Sequence, residues 1–465
     1  MLKTLSRLLI YFCLSWATAH AADLPSAVIA ALAEARIPLQ DVGIVVWDED
    51  QPQPRISINP SRPFNPASTM KLVTSYAALS LLGPAYTWHT LAATDGSLHD
   101  GILDGNLYLK GNGDPGLTME RFWMLLHQLR LSGLRQINGD LIIDQSYFQP
   151  IAAGDFDDQP HRAYNALPAA TMVNYNSNAV YLEPKNNRLR LKAEPLPAGT
   201  RVINRIALDN FPCSSWRERI HIEWNADTRE LILSGVYPRA CGDKTLSITL
   251  GDASELAGDY FTALWRSEGG ILKGKIRNGV TPAQAVPALD FPSEPLAVAV
   301  YYQDKFSNNV MARNLFLSLS AIIPANPQNA AERVRSWLAQ KNLDFPELVL
   351  DNGAGLSRLE RISPSSMARL LRSAASSPIY AEFATALPIV ATDGTMKKRD
   401  LNEAVAGHAH IKTGTLDGVK TMAGYVTRPN GQNTVVVFFI DNSNASAGTA
   451  AQDALLDWVY RGGDR

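Results

Sequence analysis

The chain has 465 residues, 46% hydrophobic and 19% charged, with 43 Lys+Arg against 45 Asp+Glu and a formal net charge of −2. This near-neutral balance excludes a basic nucleic-acid binder, which needs concentrated positive charge to neutralise phosphates. With 31 glycines, 28 prolines and no run of like charges, neither collagen nor broad disorder fits, and the length suggests about three globular domains.

Lys3 and Arg7 precede an apolar run from Leu8 to Ala19, which ends in Ala19-His20-Ala21. That order, basic then apolar then small-x-small, predicts a cleaved secretory signal over residues 1–21. The run of about 12 residues is too short to span a bilayer, and no later stretch reaches roughly 18. The mature chain is expected to begin near Ala22 and to be exported and soluble, with at most peripheral membrane contact. Export would place the two remaining cysteines, Cys213 and Cys241, in an oxidising compartment.

Residues 42–47 read as an apolar strand, and residues 67–82 as a helix stopped by Gly83-Pro84. From Tyr86 to about Leu289 short alternating strands prevail, with helices predicted over 117–131 and 254–266. Within that stretch, strands at 220–224 and 230–234 flank the loop from Asn225 to Arg229. Setting Trp224 opposite Glu230 brings Cys213 opposite Cys241, so a disulfide is predicted, contributing on the order of 3 kcal/mol. After a Pro-rich passage, helices are predicted over 308–321, 330–341 and 365–375. A hairpin (421–427 and 434–441, across Pro429-Asn430-Gly431) and a helix over 450–460 complete the chain. Strands at both ends with helices between predict one α/β domain, 22–85 with 290–465, interrupted by an insert, 86–289. The insert is read as two subdomains, about 86–105 with 180–289 and about 106–179.

The chemistry starts at the first long helix. Ser68-Thr69-Met70-Lys71 sets a hydroxyl and an amine three residues apart, one turn along a single helix face. A serine is a poor nucleophile until a neighbouring base takes its proton, and desolvation can lower a lysine pKa enough for that work. The positive end of the helix favours negative charge there, and Pro66 suits a helix start. Further on, Ser307-Asn308-Asn309 supplies S-x-N and Lys412-Thr413-Gly414-Thr415 supplies K-T-G in a strand. The order S-x-x-K, S-x-N, K-T-G is that of serine acyl-enzyme proteins.

These three motifs resemble those of penicillin-recognising enzymes. The long gap between Lys71 and Ser307 and the shorter one from Asn309 to Lys412 are similar to those of the class C low-molecular-mass penicillin-binding proteins, the D-alanyl-D-alanine carboxypeptidase/endopeptidases. Residues Asn352 to Arg358 resemble that family's D-G-S-G-L-S-R, with Asn352 and Ala354 as departures, and Gly113-Asp114-Pro115 resembles its insert signature. The resemblance implies an α/β (α+β) fold, a penicillin-binding/serine β-lactamase-like transpeptidase domain whose antiparallel sheet is flanked by helices, with a large β-rich insert. It implies periplasmic hydrolysis of peptidoglycan peptides, β-lactam antibiotics as covalent inhibitors, and no cofactor or metal.

By the same resemblance, Ser68 attacks the carbonyl and Lys71 accepts its proton. Ser307 relays a proton to the leaving amine, and Asn309 holds the substrate amide and Lys71. Lys412, Thr413 and Thr415 receive the terminal carboxylate, Gly414 leaves room for the substrate backbone, and the backbone N–H groups of Ser68 and Thr415 form the oxyanion hole. Arg358 either meets the carboxylate of a diamino-acid stem peptide or is a surface arginine. Asp417 either favours an amine-bearing side chain or is simply a turn residue before Gly418. His408 and His410 share a strand face with Lys412, without an evident third metal ligand.

Two motifs compete with this reading. Gly111 to Gly116 matches G-x-G-x-x-G, but Pro115 removes a backbone donor from the would-be phosphate cradle and no βαβ series follows. Gly269 to Lys275 has phosphate-loop spacing, yet Ile276 replaces the hydroxyl residue. Two other functions fit the scaffold. A serine β-lactamase lacks support, since no E-x-x-L-N segment is present, and intact motifs argue against a non-catalytic wall-binding protein.

Overall fold

The computed structural model describes residues 24–152, 156–157, 159–399 and 403–463, so the predicted signal segment lies outside the described residues. One unit is built on a five-stranded antiparallel sheet of β1 (Val42–Asp48), β2 (Ile56–Ile58), β3 (Ala409–Leu416), β4 (Val419–Thr427) and β5 (Asn433–Asp441), in the order β3-β4-β5-β1-β2. The helices of this unit are α1 (Ser26–Glu34), α2 (Met70–Leu82), α3 (Leu296–Phe306), α4 (Asn309–Ser318), α5 (Pro327–Gln340), α6 (Pro364–Ala375), α7 (Tyr380–Ala386) and α8 (Thr449–Tyr460).

Both faces of the sheet are covered, which explains its sequence. Along β5, Val436, Phe438 and Ile440 pack with α1 and α8, while Val435, Val437 and Phe439 pack against the apolar faces of α2 and α6. A strand buried on both sides loses the polar/apolar alternation and reads as one apolar run. α2 is buried along most of its length, from Met70 to Leu79, so it serves as the central post of the larger core.

In the insert some strands alternate instead, while Leu141–Asp144 is buried throughout. In the strand Arg188–Glu194 the positions of Leu189, Leu191 and Ala193 turn inward and the charged residues between them face water. Its strands form four further sheets, of three, three, four and five strands, and most of its buried apolar side chains share one core. The expected split at 105/106 runs between paired strands, because His89–Thr94 pairs with Leu107–Gly111, and Leu141–Asp144 pairs in parallel with both Leu107–Gly111 and Ile276–Asn278. Neighbouring strands across a short connection pair readily, whereas the distant parallel partners leave no local trace in the sequence.

Where the chain enters and leaves the insert, its two passages lie side by side. The N–H of Leu296 donates to Tyr86 O at 2.7 Å, that of Ala297 to Pro84 O at 3.1 Å and that of Ser293 to Trp88 O at 2.8 Å. Cys213 and Cys241 form the expected disulfide, with Cα atoms 4.8 Å apart. The register that predicted it is off by one: Asn225, not Trp224, faces Glu230, and neither cysteine lies on these paired strands. No described helix is long and apolar enough to cross a membrane.

Candidate active site

Ser68 sits in a short 3-10 turn, Ala67–Thr69, that leads directly into α2. The turn is held from several sides. Ala67 adopts φ +44°, its N–H donates to Asn65 Oδ1 at 2.9 Å, and the Pro66 carbonyl accepts from Thr69 Oγ1 and from Thr421 Oγ1 of β4, each at 2.7 Å. A left-handed alanine costs free energy and persists only where surrounding contacts enforce it.

One turn further, the amine of Lys71 is fully buried. It lies 3.1 Å from Ser68 Oγ, 2.7 Å from Asn309 Oδ1 and 2.5 Å from the Ala354 carbonyl. Burial pushes the Lys71 pKa well below the ordinary lysine value, and Lys412 pushes the same way against the opposing pull of Asp304 and Glu360. A neutral amine has two N–H donors and one lone pair. Asn309 Oδ1 and the Ala354 carbonyl can only accept, so an uncharged Lys71 amine that donates to both would have its lone pair left for the Ser68 hydroxyl.

Ser307 ends α3 in a left-handed conformation (φ +56°), and Asn308 caps α4 by accepting from the N–H groups of Val310 and Met311. This abrupt join turns Ser307 and Asn309 toward the same cleft. Lys412, fully buried on β3, donates to Ser307 Oγ at 2.8 Å and to the Thr413 carbonyl at 2.9 Å. Burial pushes its pKa down to about 8, while Asp304 pulls it up.

The three motifs therefore converge. β3 presses close to the nucleophile turn: a Cβ added at Gly414 would stand 2.7 Å from the Ser68 nitrogen. Thr413 Oγ1 lies 2.9 Å from Thr395 Oγ1, and Thr415 is exposed on the same strand. At the lip, Arg358 donates to the backbone carbonyl of Asp417 at 2.8 Å and covers the Phe156 ring, so the two lip residues meet without an ion pair between their side chains. A cleft of about 1560 Å³ between the insert and the Asn352–Leu359 segment opens beside Arg358, although Ser68 is outside its lining. His410 donates from Nδ1 to Ala384 O at 3.1 Å, since a carbonyl oxygen can only accept, and His408 stacks on Tyr460.

Three further contributors were not singled out from sequence. Ala354 supplies the carbonyl that receives Lys71. Glu360, fully buried, accepts from the N–H groups of Asp351, Asn352 and Gly353 at 3.2, 3.1 and 2.8 Å, and so fixes the segment that carries that carbonyl. Its pKa is pushed up to about 6 by burial against these bonds. Asp304 lies buried one turn before Ser307. The only advance signal for it was a charged pair, Asp304-Lys305, inside an apolar helix.

The decoy at Gly111 is explained by packing. Its N–H groups are used internally, Gly111 donating to Thr171 Oγ1 and Gly113 to Ala170 O, while Asn314 of α4 donates to the Gly113 carbonyl. The loop braces the S-x-N helix instead of cradling a phosphate.

The model of the D-Ala-D-Ala carboxypeptidase 3 (S13) family matches residues 24–461. The chain belongs to this family. It is 26% identical over 413 residues to the D-alanyl-D-alanine carboxypeptidase DacB of Haemophilus influenzae, covering 86% of this chain and 85% of the relative. It is 29% identical over 433 residues to the D-alanyl-D-alanine carboxypeptidase of Actinomadura sp. (strain R39), covering 89% and 80%. Among solved structures, penicillin binding protein 4 of H. influenzae superimposes with a TM-score of 0.78 at 25% identity, over 93% of this chain and 99% of that one. The S13 member described here thus has the penicillin-binding fold expected of it, an antiparallel sheet between helices.

Proposed function

We propose that the protein is a periplasmic serine D-Ala-D-Ala carboxypeptidase, with DD-endopeptidase capacity, that acts on peptidoglycan stem peptides through an acyl-enzyme at Ser68. The observation that carries this reading is the Lys71 amine, fully buried and 3.1 Å from Ser68 Oγ, with Asn309 Oδ1 and the Ala354 carbonyl as its other partners. Export is supported by the Cys213–Cys241 disulfide and the signal-like first 21 residues.

In the proposed reaction Ser68 Oγ bonds to the carbonyl carbon of the penultimate D-alanine and its proton passes to Lys71 Nζ. The carbonyl electrons move to oxygen, where the N–H groups of Ser68 and Thr415 stabilise the charge by about 3 kcal/mol or more per donor. Collapse breaks the C–N bond, and the terminal D-alanine leaves as an amine, protonated through Ser307. Water then attacks the ester and restores the Ser68 hydroxyl. Lys412, Thr413 and Thr415 hold the terminal carboxylate, Asn309 the substrate amide, and Gly414 leaves space for the substrate strand. Arg358 and Asp417 form the lip that meets the side chain of the diamino acid.

A β-lactam acylates the same serine, but its leaving amine stays tethered in the opened ring, so the adduct persists. The H. influenzae relative has been solved complexed with a β-lactam, which supports this expectation. A fluorescent penicillin should label wild type covalently and leave Ser68→Ala unlabelled; an unlabelled wild type overturns the reading. Mass spectrometry of treated peptidoglycan fragments then separates loss of one terminal alanine from cleavage of cross-linked dimers.

A further inference from the structure

Four ionisable side chains are sealed under the site. Lys71, Lys412, Asp304 and Glu360 have no or almost no exposed surface, two positive and two negative. Among the described residues none of the four makes a direct ion pair with another; their close partners are hydroxyls, amides and backbone groups. Glu360 spends Oε1 on three backbone N–H groups.

Asp304 is placed differently. It lies on α3 one turn before Ser307, the hydroxyl that accepts from Lys412. Its Oδ2 accepts from Ser75 Oγ at 2.7 Å, and Ser75 is one turn beyond Lys71 on α2. Its Oδ1 accepts from Gln303 Nε2 at 3.2 Å, and the same amide donates to Ser75 Oγ at 2.8 Å. The carboxylate is therefore clamped by neutral donors between the elements that bear the two reactive groups. A charge held by neutral partners in a low-dielectric interior still acts on ions around it.

We propose that Asp304 is a positioning residue for the reaction, a buried counter-charge that strengthens the hold of both Lys412 and Lys71 on a proton and so sets where on the pH scale Lys412 is charged while Lys71 is neutral. The inference rests on the acyl-enzyme reading of Ser68. Lys71 is faced by Lys412 from β3, by Asp304 from α3 and by Glu360 from the segment after α5, and Lys412 is faced by Asp304, so Asp304 is the anion both lysines share. Removing this charge weakens the hold of both lysines on a proton. The acid limb of acylation, where Lys71 must be neutral, moves to lower pH. The alkaline limb, where Lys412 must be charged, moves the same way. Burial pushes the Asp304 pKa up to about 6, so it carries its charge above that value, and there the limbs are displaced toward acid by about one pH unit, a tenfold change in each lysine equilibrium. Loss of a purely structural residue would lower the curve without displacing it.

The test is the second-order rate of acylation by a fluorescent penicillin, followed across pH for wild type, Asp304→Asn and Asp304→Glu, with Ser68→Ala as the unlabelled control. Asp304→Asn should show both limbs displaced to lower pH; Asp304→Glu, which restores the carboxylate, should return the limbs to their wild-type positions whatever its height. Should the asparagine variant not fold, Asp304→Ser removes the same charge with a smaller side chain. Unmoved limbs in a folded neutral variant, or displaced limbs in the glutamate variant, overturn the inference. Absence of labelling in wild type overturns the Ser68 reading instead, so the two failures are distinct.

Discussion

β5 of the catalytic sheet and the insert strand Arg188–Glu194 obey opposite rules of burial. In β5 every residue from Thr434 to Ile440 is buried, whereas in the insert strand Arg188–Glu194 only Leu189 is. On β3 the buried Lys412 and Gly414 are packed tightly against the neighbouring elements, Gly414 directly on the Ser68 turn. A strand such as Arg188–Glu194, covered on one face, needs only the right polarity at alternate positions. Sequence change should therefore be costly at one and tolerated at the other.

The largest effect tests this with paired glycines. Gly355 has φ +79°, and a Cβ there would collide with the Ala67 carbonyl and come 2.7 Å from the Ser68 nitrogen; Gly199 of the insert has φ +78° and nothing within 4 Å. Both alanine variants carry the same left-handed backbone strain, about 1 kcal/mol. Only Gly355→Ala moves the nucleophile turn. Gly355→Ala is expected to slow penicillin acylation at least about 100-fold, and Gly199→Ala to leave it unchanged. Equal losses, read by labelling rates beside thermal melts, would break the comparison.

The next effect sharpens it at Lys412. Because its pKa is pushed down to about 8, it loses its proton as pH rises through that value, and kcat/KM for carboxylate-bearing peptides should fall about tenfold per pH unit above it. Stability should move the other way. The unfolded lysine keeps its proton to about 10.5, so between about 8 and 10.5 the unfolded state binds more protons and the contribution of Lys412 to stability grows with pH. Thermal unfolding relative to Lys412→Met should show wild type gaining across that window while activity declines. A parallel rise or fall of both would mean that the charge is held for the fold and not for chemistry.

The same contrast explains what could be read in advance. Ser68 and Lys71 are legible because one helical turn fixes their relation, and Lys412 to Gly414 because a strand does. Asp304 and Glu360 act through groups remote in sequence, and a single acid inside Leu296–Phe306 looks the same whether it faces solvent or two lysines. α3 itself escaped notice behind the Pro-rich passage before it. In the insert, antiparallel neighbours were legible but the parallel pairing of Leu141–Asp144 with Ile276–Asn278 was not. The cysteine pairing was right although the register behind it was one residue off, since loops and a 3-10 turn bring the two sulfurs together.

The smallest effect on catalysis concerns that disulfide. Cys241 belongs to the insert core, beside Tyr237 and Trp216, whose rings meet edge to face at 5.6 Å. Closing a 28-residue separation removes unfolded-chain entropy worth about 3 kcal/mol, so Cys213→Ser with Cys241→Ser should destabilise the insert by about that amount. The site is insulated because Trp88, at the entry to the insert, is anchored in the catalytic core and donates to Ser318 Oγ at 2.8 Å, while the two passages are stitched to each other by backbone bonds. The expected result is a lower unfolding midpoint for insert tryptophans with penicillin labelling unchanged below it. If labelling instead fails in step with the insert, the connections to examine are those to the S-x-N helix, where Asn314 donates to the Gly113 carbonyl, Arg313 to that of Ala166 and Asn309 to that of Tyr164.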